Sequence, residues 1–239
     1  MKKLLFVILL LAANVSVMAQ LNFQMHYDFG HALYGSQLSN RSDWAATIEN
    51  FTADRWGSTY FFVDGTFGSK TMTSAYAELS RELRFWDLPI SAHVEYNGGL
   101  SGTGSYNDAY LAGAAYNWAN KDFSKTFSVQ ALYRYLARQQ VGSKHSWQLT
   151  VVWGIHFAKG LCTFSGYADF SGDPSVNGKM VLGSEPQFWI NLAALDKVSD
   201  DCKLSLGTEL EMSNNLVWPT DGINNRFYAI PTLAAKWTF

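Results

Sequence analysis

The chain has 239 residues, of which 48% are hydrophobic, 15% aromatic and only 16% charged, with a formal net charge of −2 and a mean hydropathy of −0.08. Soluble domains carry about 25% charged residues, so the shortage of charge argues against an ordinary soluble enzyme, and the wealth of aromatics excludes a disordered chain. Helical membrane proteins need apolar runs of roughly 18 residues or more, and no basic field points to a nucleic-acid polymer.

The length fits one domain, or at most two. At the N-terminus, Lys2 and Lys3 precede an apolar run over residues 4–13, and Val17, Met18 and Ala19 offer a cleavage site before Gln20. This pattern predicts a secretory signal peptide over 1–19, too short to span a bilayer. Its removal would take away two lysines and move the net charge from −2 to −4. No cysteine lies beside the cut, which argues against a lipoprotein. Cys162 and Cys202 are the only cysteines. Export permits a bridge between them, and the sequence leaves bridged and free thiols equally open.

From residue 20 onward the dominant pattern is alternation with a period of two, the signature of strands with two unlike faces. Phe127, Val129, Ala131, Tyr133 and Tyr135 share one face, opposite Ser128, Gln130, Leu132, Arg134 and Leu136. Trp147, Leu149, Val151, Trp153, Ile155 and Phe157 oppose Ser146, Gln148, Thr150, Val152, Gly154 and His156. Leu204, Leu206, Leu210 and Met212 oppose Lys203, Ser205, Glu209 and Glu211. Soluble strands usually span five or six residues, whereas a tilted membrane-crossing strand needs about 9–11. The runs here have the second length. Tyr and Trp near their ends match interfacial girdles.

Twelve strands are predicted over 22–33, 44–53, 58–68, 74–86, 90–100, 107–119, 126–139, 146–158, 161–173, 184–195, 202–214 and 226–239. The expected fold is all-β, a single closed antiparallel transmembrane β-barrel over 20–239. Short breaks at 54–57, 87–89, 121–125 and 159–160 alternate with longer ones at 34–43, 101–107, 140–145, 174–183 and 216–225. Residues 195–201 are long where a short turn is due, and 69–73 are brief where a long loop is due. Short turns face the periplasm in outer-membrane barrels, so an even strand count puts both termini there. Pro231 lies inside the last strand, where it removes a ladder donor. A local bulge is expected to absorb it.

The chain ends Ala235-Lys236-Trp237-Thr238-Phe239, which resembles the terminal signal that outer-membrane barrels present to their assembly machinery. Glu49-Asn50-Phe51-Thr52-Ala53-Asp54-Arg55-Trp56, followed by Phe61-Phe62-Val63-Asp64-Gly65, is similar to the second and third strands of the Tsx-like nucleoside-specific channel-forming porins. Tyr76-Ala77-Glu78-Leu79-Ser80-Arg81-Glu82-Leu83 resembles that family's fourth strand, and Gly166-Tyr167-Ala168-Asp169-Phe170 a later one. The resemblance implies a monomeric twelve-stranded barrel in the outer membrane of a Gram-negative bacterium. Its narrow lumen would be lined by aromatic and ionisable groups and conduct nucleoside-like solutes.

With the apolar faces on lipid, the other faces line the bore. The preferred solute-contacting set is Tyr60, Phe62, Asp64, Tyr76, Glu78 and Tyr167, because a base stacked on an aromatic ring gains about 1–3 kcal/mol and neighbouring carboxylates accept hydrogen bonds from hydroxyls. The accompanying lumen charges are His26, Asp28, Glu49, Glu82, Arg84, Arg134, Asp169 and Glu209. His93, Glu95, Arg138, His156, Trp189, Glu211, Arg226 and Tyr228 are expected on the same side. Twelve strands enclose more room than the eight that side chains just fill, which favours a narrow water-filled passage. The bland alternative is an interior packed shut by mutually neutralising acids and bases. A further alternative is an adhesive barrel working through its loops.

No cofactor or metal is expected: no HExxH pair or phosphate loop occurs, and His26-Tyr27-Asp28 alone is a weak metal signal. A barrel enzyme acting on lipid or peptide is the runner-up, since triads assemble from distant strands. Such a lipase would need its nucleophile toward lipid, whereas His156 points inward. Arg81 falls on the lipid face of a regular strand, so either it snorkels or a bulge turns it inward.

Overall fold

The computed structural model describes residues 19–102, 104–222 and 224–239; the expected signal peptide falls on 1–18, outside the described residues, up to its last residue. The alternating segments form twelve wall strands: β1 (Ala19–Asp28), β2 (Trp44–Asp54), β3 (Gly57–Phe67), β4 (Met72–Leu83), β5 (Ile90–Ser101), β6 (Ala109–Ala119), β7 (Lys125–Leu136), β8 (His145–Phe157), β9 (Cys162–Gly172), β10 in two segments (Met180–Ser184 and Gln187–Asn191), β11 (Leu204–Asn214) and β12 (Phe227–Thr238). Each strand pairs antiparallel with its neighbours in sequence. The circle closes between β1 and β12, from Asn22 against Thr238 to Asp28 against Thr232. Closure leaves no open sheet edge, which is what allows strands to cross lipid, where an unpaired backbone group costs several kcal/mol.

Two rims result. The turn rim carries the short connections, the longer segment between β10 and β11, and both described chain ends, with the Phe239 amide bonded to the Leu21 carbonyl at 3.0 Å. The loop rim carries the other longer connections and the brief turn between β3 and β4. Outward residues grade as a bilayer requires. Trp44, Tyr110, Tyr133 and Trp147 are exposed near the loop rim, and Trp56, Trp86, Trp118 and Trp237 near the turn rim. Between them lie exposed aliphatics such as Ile48, Val63, Leu79, Val94 and Leu206.

Several expectations need correction. The first strand stops at Asp28 rather than running to 33, because the Asp28 carboxylate turns back to accept the Gly30 amide at 2.7 Å, a local turn that competes with the ladder. A helical turn, α1 (Gly30–Tyr34), and a 3-10 turn (Gly35–Leu38) follow. The tenth strand starts four residues early and breaks at Glu185-Pro186, then ends in a 3-10 turn at Leu192–Ala194. Its register resumes unchanged beyond the break, Ala168 facing Ser184 and Ser165 facing Gln187. The break is therefore a missing donor at Pro186 and not an inserted residue. The wall accommodates it at Gly166 of β9, whose φ of +152° and lack of a side chain admit the Glu185 carbonyl; a Cβ there would lie 2.4 Å from that oxygen.

Pro231 needs no bulge either. Its pairing with Leu210 stays in the same register as the flanking Leu204–Trp237 and Asn214–Phe227 pairs. On its other side β1 has just ended: Phe29 donates to the Pro231 carbonyl at 3.2 Å, and the Phe29 carbonyl, which proline cannot serve, takes the Leu33 amide of α1 at 2.9 Å. Arg81 does face lipid, in unbroken register with Thr59. It snorkels along the wall, Nη1 on the Thr59 hydroxyl and Nη2 on the Asp54 carboxylate, both at 2.9 Å, close to the turn rim. Cys162 and Cys202 are free thiols.

Candidate functional site: the barrel lumen

Because side chains alternate along each strand, the inward residues of neighbouring strands meet in rows. On β1, Asn22, Gln24, His26 and Asp28 are all buried. Asn22 donates to Glu49 on β2 at 2.7 Å, and Gln24 to Asn22 at 2.9 Å. His26 lies between Gln24 and Thr232 at 3.1 Å from each.

The solute set predicted on β3 and β4 forms one continuous wall. Tyr60, Phe62 and Tyr76 follow one another with ring centroids 6.1 and 6.0 Å apart, and Tyr106 from the loop after β5 extends the file by another 6.0 Å. Carboxylates flank this ladder: the Tyr60 hydroxyl donates to Glu49 at 3.1 Å, Tyr76 to Glu78 at 2.7 Å, and Thr47 to Asp64 at 2.5 Å. Tyr167 and Asp169 approach from β9, and Glu78 lies within electrostatic reach of Glu95, Asp64 and Asp169.

The remaining charges form small networks. His93 is held between Glu82 and Glu95, with Nε2 3.0 Å from Glu95, and Asn117 donates to Glu82 at 2.5 Å. Arg134 donates to Ser171 at 3.0 Å. Glu209 accepts from Gln187 at 2.7 Å, Gln187 accepts from the Trp189 indole at 3.0 Å, and the Lys236 ammonium lies 4.1 Å over the Trp189 ring. Two apolar patches complete the interior. Ala109, Leu111, Leu132 and Leu136 line β6 and β7, and Tyr228 and Ile230 on β12 cluster with Leu38.

Leu38 belongs to the loop after β1, which folds over the loop rim. Tyr34 and Val217 join the same cluster, and Thr220 of the β11–β12 loop bonds the carbonyls of Ser36 and Gln37. Arg41 locks the fold. Its Nε meets both Asp28 oxygens at 3.0 Å, and its Nη2 reaches Asp28 at 2.6 Å and also Glu211. Burial opposes the charge on Arg41, but the fields of Glu211 and Asp28 outweigh it and hold the guanidinium proton more tightly than usual. A cavity of about 250 Å³, lined in part by Asn40, Arg41, Glu211 and Trp218, lies beside this clamp.

Not every predicted residue joins these networks. Arg84 is exposed, one residue beyond β4. Arg138 pairs with Asp108 and Arg226 with Asp221, both in loops rather than in the bore. His156 is exposed near the turn rim, its Nδ1 2.9 Å from Thr163. Glu185, Lys236, Tyr106 and Arg41 are among the lumen residues that escaped the sequence reading. Glu185 and Lys236 could have been found by following the alternation from Trp189 and Thr232. Arg41 sits in a loop and carries no periodic signal. Among the described residues, no group of His, Cys, Asp or Glu side chains is arranged to hold a metal ion.

A closed twelve-stranded antiparallel barrel with an apolar outer band and a polar bore has the architecture of an outer-membrane porin. The chain belongs to the DUF5020 family, described as a domain of unknown function, which it matches over residues 19–239. No curated protein sequence matches it. Among solved structures, the NanC porin in a rhombohedral crystal form is similar, with a TM-score of 0.59 and 12% identity over 92% of this chain and 100% of that one. The KdgM porin is similar with a TM-score of 0.50 and 8% identity over 92% and 99%, and so is KdgM in complex with disordered oligogalacturonate. These likenesses establish the fold.

Proposed function

We propose that this protein is a channel of the bacterial outer membrane that passes small solutes carrying a flat ring, with nucleosides as the representative class. The observation that carries this reading is the ladder of Tyr60, Phe62, Tyr76 and Tyr106, flanked by Glu49, Asp64 and Glu78. Rings offer stacking surfaces worth about 1–3 kcal/mol per base, and the carboxylates accept from hydroxyls. In this reading the chain is exported and loses residues 1–19, and the assembly machinery reads the segment ending in Phe239. It acts as a monomer with the turn rim and both termini in the periplasm. The fold shared with NanC and KdgM supports a channel. Oligogalacturonate, named with KdgM, is an acidic saccharide, and the acid-rich bore here disfavours such a solute.

A second reading, a barrel closed at one mouth, is favoured by Leu38 and Arg41 seated across the loop rim. Uptake of labelled nucleosides and of sugars of similar size into liposomes holding the refolded protein separates the two. Saturable nucleoside entry supports the channel and its specificity. Equal entry of both leaves a general pore, and entry of neither leaves the closed barrel.

A further inference from the structure

Inside the bore, the carboxylates Asp28, Glu49, Asp64, Glu78, Glu82, Glu95, Asp169, Glu185, Glu209 and Glu211 outnumber the strong bases Arg41, Arg134 and Lys236. Part of this excess lies where β4, β5 and β9 face one another, around His93 and Arg134. Glu95 is only 8% exposed; one oxygen meets His93 at 3.0 Å, while Oε1 is buried without a hydrogen-bond partner. Asn97 Oδ1, two residues along the same inward face, and Asp169 Oδ1 on β9 are likewise buried and unpartnered. Glu78 stands opposite Asn97 on the neighbouring strand and has the Tyr76 hydroxyl on one oxygen.

Buried acceptors left without donors cost about 1–3 kcal/mol each, more when charged, and like charges gathered in a low-dielectric bore repel. One guanidinium, Arg134, acts on Asp169, and its Nη1 is already bonded to Ser171. The arrangement therefore presents three unpartnered acceptors, Glu95 Oε1, Asn97 Oδ1 and Asp169 Oδ1, among several carboxylates, with the unpartnered donors His93 Nδ1 and Arg134 Nε on the flanking residues. A primary ammonium carries three N–H donors and one positive charge, which answers both deficits.

We infer that Glu78, Glu95 and Asp169, with the Asn97 carbonyl, form a subsite in the bore for an organic ammonium group, so that solutes bearing a protonated amine are preferred over neutral solutes of the same size. This rests on the channel reading above and narrows its substrate class.

The test compares glucosamine, with its amine protonated, and glucose in liposome uptake, alongside the reversal potential in planar bilayers under a KCl gradient. Wild-type protein should favour glucosamine by about tenfold, equivalent to ~1.4 kcal/mol, and should pass cations over anions. Glu95→Gln combined with Asp169→Asn should bring the glucosamine-to-glucose ratio toward one. Equal entry of the two sugars with measurable flux and no cation preference overturns the subsite and leaves the channel standing. No flux and no current overturns the channel reading itself. The wild-type comparison decides the matter even where the double variant fails to insert.

Discussion

Removing the Arg41 side chain should unfasten the loop after β1. Arg41 makes three contacts of 2.6–3.0 Å with Asp28 and a further one with Glu211. The three side chains are 23%, 7% and 15% exposed, so water screens the group poorly. Deleting one partner of a buried ion pair costs about 3–5 kcal/mol, because the charges left behind are uncompensated. Arg41→Ala strands two carboxylates in a bore already rich in acid. The loop also holds through Leu38 and Thr220, so its loosening is local while the barrel wall stays paired. Cleavage of the loop by a nonspecific protease in the membrane-inserted protein tracks the open population and should rise by more than about 10²-fold. The triple variant Arg41→Met, Asp28→Asn, Glu211→Gln has no stranded charges and should recover much of the protection. A rise below about fivefold, the size of a surface ion pair, would refute the claim that the clamp secures this loop.

Arg81→Leu should change stability by less than about 1 kcal/mol in urea titrations, since an arginine near the interface costs little and its half-exposed pair with Asp54 contributes little; a loss above ~2 kcal/mol would put Arg81 deeper in the membrane. Gly166→Ala should destabilise the barrel by at least about 1–3 kcal/mol through overpacking, seen as a lower yield of the heat-modifiable gel species, and an unchanged yield would mean that the β10 break does not need this glycine. Asp64→Ala and Tyr76→Ala should alter the ratio of nucleoside to sugar uptake more than assembly; if both variants simply fail to insert, the ladder is structural. Deleting Phe239 should impair insertion, and undiminished assembly would reject its role as a terminal signal.

The wall was readable because a period of two is enforced on every strand by lipid on one side and polar neighbours on the other. That constraint located twelve strands and assigned their faces, and it put Arg81 on the outer face of its strand while leaving snorkelling and an inward-turning bulge both open. It failed where local hydrogen bonding outweighed the pattern. Asp28 ends β1 by accepting the Gly30 amide, although the predicted strand runs on to Leu33. Pro186 splits β10 because it has no amide to donate, and its partner Gly166 lies on another strand, so no local pattern announces the break. Pro231 looked disruptive only because the position of its neighbour, the end of β1, could not be read from sequence. Within the site, the ladder from Tyr60 to Tyr76 follows from alternation alone. Tyr106 and Arg41 come from loops, where residue order says nothing about which side chain turns inward.

The central claim, a solute-selective bore, is tested most directly by single-channel recording of the purified protein in planar bilayers with a nucleoside or an equal concentration of a sugar added. The account predicts discrete conductance steps that the nucleoside reduces in a saturable way, that the sugar leaves unchanged, and whose block weakens in Tyr76→Ala. Steps indifferent to the nucleoside, or a properly inserted barrel that carries no current, would contradict it.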